Sequence, residues 1–210
     1  DRRMAPVRPG KLALPSGDVR CGLIATFSSV LAHALEQEQV VHDDRVRAVH
    51  EFRKSVRRGR AILSLCRGVL PKQEFKALWR DLRHAALPTS ELRDSDVFAA
   101  VLSAVSVPEE LEPTAEKART ALSANPADID LVARTLEQGV GLVQTAPQRF
   151  AEHLAPELGW PDIEAGLRRS YQRARKRRDK VAKTRKPVHF HDWRKRTKEL
   201  NYQIELLTHG

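Results

Sequence analysis

The chain has 210 residues, a formal net charge of +10 and a pI of about 10.1, with 37 Lys and Arg against 27 Asp and Glu. That balance makes anionic partners the natural ones: nucleic acid, acidic membrane or phosphate polymer. No apolar run approaches the roughly 20 residues a membrane-spanning helix needs, and two cysteines supply no disulfide framework, which fits a reducing cytoplasm.

Residues 1–17, rich in Pro and Gly and without a secretory apolar core, read as a linker, and the internal Met4 suggests a fragment or a trimmed chain. Helices are expected near 18–39, 44–68, 71–86, 89–106, 111–124, 128–155, 161–185 and 188–208. Pro71 and Pro88 mark boundaries, and Thr89-Ser90-Glu91 offers an N-terminal cap. Asn125-Pro126 breaks the chain before a cap at Asp128, and Pro156 and Pro161 bracket a turn. Pro147 predicts a kink or split near 145. No segment sustains a period-2 alternation of β-branched residues, so the fold class is all-α.

One stretch occurs twice. Residues 49–65 read VHEFRKSVRRGRAILSL and residues 190–206 read FHDWRKRTKELNYQIEL. An offset of 141 places His191 on His50, Asp192 on Glu51, Trp193 on Phe52, Arg194 on Arg53, Lys195 on Lys54 and Lys198 on Arg57. At 100° per residue, His50, Arg53, Lys54 and Arg57 share an arc flanked by Arg58 and Arg60. In the second copy His191, Arg194, Lys195, Lys198 and Tyr202 share a stripe. Like charges at i,i+4 cost a helix a few tenths of a kcal/mol per pair, so a nearly pure cationic face points to an external anion.

The preceding helix repeats as well. Gly22-Leu23 with Phe27 matches Gly166-Leu167 with Tyr171 at an offset of 144, so the repeat unit is at least a helical hairpin. The second leading helix carries Arg169, Arg173, Lys176, Lys180 and Lys183 as one stripe, with Ile163, Leu167, Tyr171, Ala174 and Val181 opposite. Phe27, Phe52, Tyr171 and Trp193 fall on apolar stripes and are expected in the core, as are Cys21 and Cys66. With aromatics at 5%, few rings remain for stacking on bases. The chain contains no phosphate-binding loop, zinc-finger spacing or G-x-S-x-G.

These residues together resemble the CHAD family, the conserved histidine α-helical domain. The resemblance is carried by His50 to Arg60, Leu92-Arg-Asp-Ser-Asp-Val97, Tyr171 with Arg173 and Arg175, and His191 to Tyr202, and covers roughly 18–208. It implies two similar four-helix bundles, related by pseudo-two-fold symmetry, flanking a basic groove. The first would span about 18–106 and the second about 128–210, the latter incomplete because two further helices are expected after Tyr202. It also implies non-enzymatic binding of inorganic polyphosphate, targeting to polyphosphate granules, no cofactor, and frequent fusion to a triphosphate-tunnel (CYTH) domain. The implied ligand-binding set is His50, Arg53, Lys54, Arg57, His191, Arg194, Lys195 and Lys198 with Arg173; the stripes add Arg58, Arg60, Arg169, Lys176, Lys180 and Tyr202. Asn201 departs from the family's usual Arg before Tyr202.

Arg offers a planar fork to phosphate oxygens and Lys a point charge. One cation per helical turn, about 5.4 Å, matches about two phosphate units. The two histidines could donate to phosphate, orient a neighbour or ligate a metal, although the cations around them repel a metal. His189 reads as exposed, and Asp94 and Asp96 as salt-bridge partners of the basic residues. Two other functions compete. Net charge alone would allow a nucleic-acid binder, with nucleic acid otherwise a non-specific competitor. A metal-dependent phosphohydrolase, or an accessory domain of one, would use His50, His191, Asp94 and Asp96.

Overall fold

The computed structural model describes residues 18–90, 101–102, 104–123 and 128–208. The described residues form helices, turns and loops, with no strand among them. Helix α1 (Val19–Val40) starts at Asp18, whose side chain accepts from the Cys21 amide at 3.1 Å. Helix α2 (Arg45–Leu65) starts likewise at Asp44, which accepts from the Arg47 amide at 3.0 Å, and runs on into a 3-10 turn, Cys66–Gly68. Each cap satisfies one of the amides that a helix start leaves unpaired. Helix α3 (Lys72–Ala86) follows Pro71, and α4 (Glu112–Ser123) follows the 3-10 turn Glu109–Leu111.

Helix α5 (Ile129–Val143) is capped by Asp128 as expected, and α6 (Ala146–His153) opens with Pro147 in its first turn, so the expected break near 145 is a full separation. Helix α7 (Trp160–Thr184) carries Pro161 in its first turn. It ends at Arg185, which takes a left-handed conformation at φ 51° and turns the chain directly into α8 (Pro187–Thr208).

One core joins most of these elements. Phe27 of α1 stacks on Phe150 of α6 with centroids 4.3 Å apart, and Phe52 of α2 is fully buried beside them. Leu82 of α3, Leu136 of α5, Ile163 of α7 and Leu206 of α8 belong to the same cluster. Helices α5 and α6 pack against α1 and α3. The sequence reading grouped them with the later helices; their buried Val132, Leu136 and Phe150 lie on the first hairpin instead. Gly139 makes this possible, because a Cβ there would meet the Phe52 ring at 2.7 Å. The Arg93 to Asp96 stretch and most of the expected 89–106 helix lie outside the described residues.

The hairpin repeat has structural counterparts. The α1–α2 hairpin holds His33 Nε2 3.6 Å from the Glu51 carboxylate, and the α7–α8 hairpin holds Arg177 3.6 Å from Asp192. These two pairs are related by the same offsets of 144 and 141 that the sequence shows. The hairpins meet where α2 and α8 cross. There the buried Gln203 donates Nε2–H to the Ala61 carbonyl at 2.9 Å, and Arg58 stacks over Tyr202 at 5.8 Å. Helix α7 reaches the end of α2 at Gly166, where a Cβ would lie 2.2 Å from the Leu65 carbonyl oxygen.

Three core expectations change. Cys21 is exposed, Tyr171 is 54% exposed and Trp193 is only partly buried, whereas Phe27, Phe52 and Cys66 are fully buried. Tyr171 is exposed on a stripe whose Ile163, Ala174 and Val181 are buried, and Trp193 shares its partial burial with Leu200 and Leu207.

Candidate functional site

The α7 stripe places Arg173 at the junction of three elements. Its Nη2 donates to Ser64 Oγ of α2 at 2.8 Å, to Ser170 Oγ at 3.2 Å and to Glu199 of α8 at 3.5 Å. Arg196 of α8 donates Nη1–H to the other Glu199 oxygen at 2.7 Å. Arg60 of α2 lies with its guanidinium 4.5 Å above the Trp79 ring of α3, close enough to Glu199, Arg196, Arg83 and Arg57 for each to act on it. Arg67 covers the neighbouring Phe75 ring at 5.4 Å, and Phe75 stacks on Trp79 at 5.8 Å.

From this junction a groove of about 670 Å³ runs between α7 and α8, lined by Arg173, Lys176, Arg177, Asp179, Lys180, Lys183 and Arg196. Asp179 is the one acid of that lining, and it is already bound by Arg178 at 2.8 Å. Burial lowers the pKa of both Arg60 and Arg173; neighbouring guanidiniums lower it further, and Glu199 opposes them. Arginine stays charged regardless, so the direction records chiefly the burial of two guanidiniums, with Glu199 as the largest opposing charge. The Nε atoms of Arg60 and Arg173 are buried without hydrogen-bond partners.

The sequence-predicted residues divide into three groups. Arg173, Lys176 and Lys180 line the groove, and Arg57 and Arg60 stand at its head. Arg169 lies beside the head, reaching toward the Leu65 carbonyl at 3.5 Å. Arg58 and Tyr202 meet at the α2–α8 crossing, with Glu205 3.9 Å from Arg58. In the second group, His191, Arg194, Lys195 and Lys198 are exposed along α8, and His50 is exposed near the start of α2 with Nε2 3.9 Å from Glu51.

The third group is turned to structural work. Arg53 is 7% exposed, and its Nη1 donates to Ala86 O at 3.1 Å, Thr89 Oγ1 at 2.9 Å and Ser90 Oγ at 3.0 Å. It ties down the C-terminus of α3, where Thr89 and Ser90 also donate to the Ala86 carbonyl, and the residues that Thr89-Ser90-Glu91 were expected to cap lie outside the described ones. Lys54 donates to both oxygens of Glu51, at 3.1 and 3.0 Å. Burial resists ionisation of Glu51, but Lys54, with His50 and His33, holds its carboxyl below the usual value.

Sequence reasoning missed Arg196, Glu199, Arg83 and Trp79 as parts of the site. Glu199 did carry a signal: it falls on Arg58 at the offset of 141, an acid where the first copy has a base. His189, read as exposed, is half-buried and hydrogen-bonds Thr184 across the α7–α8 turn. Partial desolvation and the cations Lys180, Lys186 and Arg177 lower its pKa.

The family model for the CHAD domain matches residues 25–209, and the chain belongs to that family. The crystal structure of the CHAD domain from the plant Ricinus communis superposes with a TM-score of 0.65 at 22% sequence identity. The match covers 96% of this chain and 70% of that one, and supports the all-α fold. No curated protein matches the chain.

Proposed function

We propose that the chain binds inorganic polyphosphate, without turning it over, in the groove between α7 and α8 and at the arginine junction at its head. The observation that carries this reading is the imbalance of charge: six cations line the groove, and the acids beside them are fewer, Glu199 shared by Arg173 and Arg196, Asp192 near Arg177, and Asp179, which Arg178 already holds. Folding places these cations together at an electrostatic cost, and a ligand dense in negative oxygens removes it. Polyphosphate suits the shape because it has no bases to accommodate and asks only for oxygen-directed donors in a row. From Arg173 to Lys183 the stripe rises about 15 Å, the length of about five or six phosphate units.

The arrangement supports a binder more directly than a catalyst. Among the described residues, no three His, Cys, Asp or Glu side chains converge in a way that could hold a metal ion, and Asp94 and Asp96 lie outside those residues. The cellular setting follows from the ligand: a cytoplasmic protein recruited to polyphosphate granules, alone or with a triphosphate-tunnel (CYTH) domain. No described helix is long and apolar enough to cross a membrane.

The test is a titration of long-chain polyphosphate into the wild type and into Arg173→Gln/Arg196→Gln. The double variant should lose at least tenfold in affinity. Unchanged affinity would remove the proposed site. Duplex DNA should displace polyphosphate poorly at physiological salt; efficient displacement would favour the nucleic-acid reading. Phosphate release on adding Mg²⁺ or Mn²⁺ would favour the hydrolase.

A further inference from the structure

The strongest unabsorbed feature is Glu199. It is 13% exposed in a neighbourhood whose other charged groups are the guanidiniums of Arg60, Arg173 and Arg196. One carboxylate oxygen accepts from Arg196 at 2.7 Å, and the other lies 3.5 Å from Arg173 Nη2. Its position in the repeat belongs to a base, Arg58, in the first copy. The site has therefore placed its own anion where the two arginines of the groove head converge. A carboxylate presents two oxygens to a guanidinium fork much as a phosphate does. The 3.5 Å contact to Arg173 is long, and Arg173 also holds Ser64 and Ser170, so its attachment to Glu199 is the weaker of the two.

We infer that Glu199 is an internal counter-ion: a phosphate oxygen of the ligand takes its place on Arg196 and Arg173, and Glu199 thereby sets the affinity and salt dependence of the groove. This rests on the polyphosphate reading above. Without a ligand anion, the carboxylate offsets the charge of Arg173 and Arg196 and acts on Arg60 as well. In the occupied site it is a like charge beside the ligand. It opposes binding and keeps attachment reversible.

The variant Glu199→Gln keeps the side chain's shape and removes its charge. Relative to wild type, it should bind long-chain polyphosphate roughly three- to tenfold more tightly at about 0.1 M salt. The slope of log K against log salt should steepen by about one. Its melting temperature without ligand should fall, and added sulfate should restore it. Glu199→Asp, which keeps the charge, should bind within about twofold of wild type. A crystal structure of the wild type with polyphosphate is independent of whether the variants fold. It should show a phosphate oxygen bonded to Arg196 Nη1 and the Glu199 contact lengthened or broken.

Wild-type binding with no gain and no steeper slope in Glu199→Gln would overturn the counter-ion role and leave the polyphosphate reading standing. So would a complex in which Glu199 keeps its 2.7 Å contact to Arg196. Absence of wild-type binding would instead overturn the reading on which the role depends.

Discussion

Arg53 and Arg194 occupy the same place in the repeat and have opposite surroundings. Arg194 is exposed on α8, while Arg53 is buried against the end of α3. Removing Arg53 leaves the Ala86 carbonyl and the Thr89 and Ser90 hydroxyls without their charged donor. Arg53→Ala should cost about 2–3 kcal/mol in urea denaturation, whereas Arg194→Ala should change stability by less than about 0.5 kcal/mol. The cysteines divide in the same way. Burial pushes the Cys66 thiol up to about 12, with Arg169 only partly opposing. An aromatic disulfide reagent at pH 8 should therefore titrate Cys21 at once and Cys66 only on unfolding. Because the folded pKa is the raised one, the unfolded chain loses that proton first. The contribution of Cys66 is complete below about pH 9 and falls by up to about 1.4 kcal/mol per pH unit as pH rises toward 12.

At the scale of elements, α1 and α7 are counterparts whose outward faces differ. The offset of 144 sets Ser29, His33, Glu36 and Gln39 of α1 against Arg173, Arg177, Lys180 and Lys183 of α7. The second hairpin carries the cationic groove, so Lys176→Gln/Lys180→Gln/Lys183→Gln should weaken polyphosphate binding several-fold with an unchanged melting temperature, all three side chains being exposed. Gly166→Ala should act in the reverse sense. Its Cβ meets the Leu65 carbonyl at 2.2 Å, which pushes α7 off the end of α2 at a cost of about 2–3 kcal/mol in thermal or urea unfolding. The helices and the hairpin repeat were legible because periodicity, proline positions and caps are local: Asp128 caps its helix as expected, and Asp18 and Asp44 carry the same local signal. The orientation of each cationic stripe was not. Arg53 and Arg57 share an arc on the wheel, yet α3 captures one and Arg60's neighbourhood holds the other, a choice made by packing partners far away in sequence. Trp79 as a platform for Arg60 was hidden for the same reason. Packing also decides that α5 joins α1 and α3, since Gly139 admits the Phe52 ring.

For the whole molecule, the contact between α2 and α8 joins two hairpins of similar sequence pattern into an asymmetric device. The shared core of the first hairpin, α3, α5 and α6 supports the junction, and the second hairpin supplies most of the free charge. A binder of this kind is governed by counter-ion release, because each phosphate contacted frees an ion from the polymer. The central claim, that a polyanion lies along the α7–α8 groove, is tested most directly by titrating long-chain polyphosphate across a series of salt concentrations. With six cations lining the groove, the slope of log K against log salt should be about −4 to −6 in the wild type and about two units shallower in Arg173→Gln/Arg196→Gln. A wild-type slope shallower than about −1, or the same slope in both proteins, would contradict it.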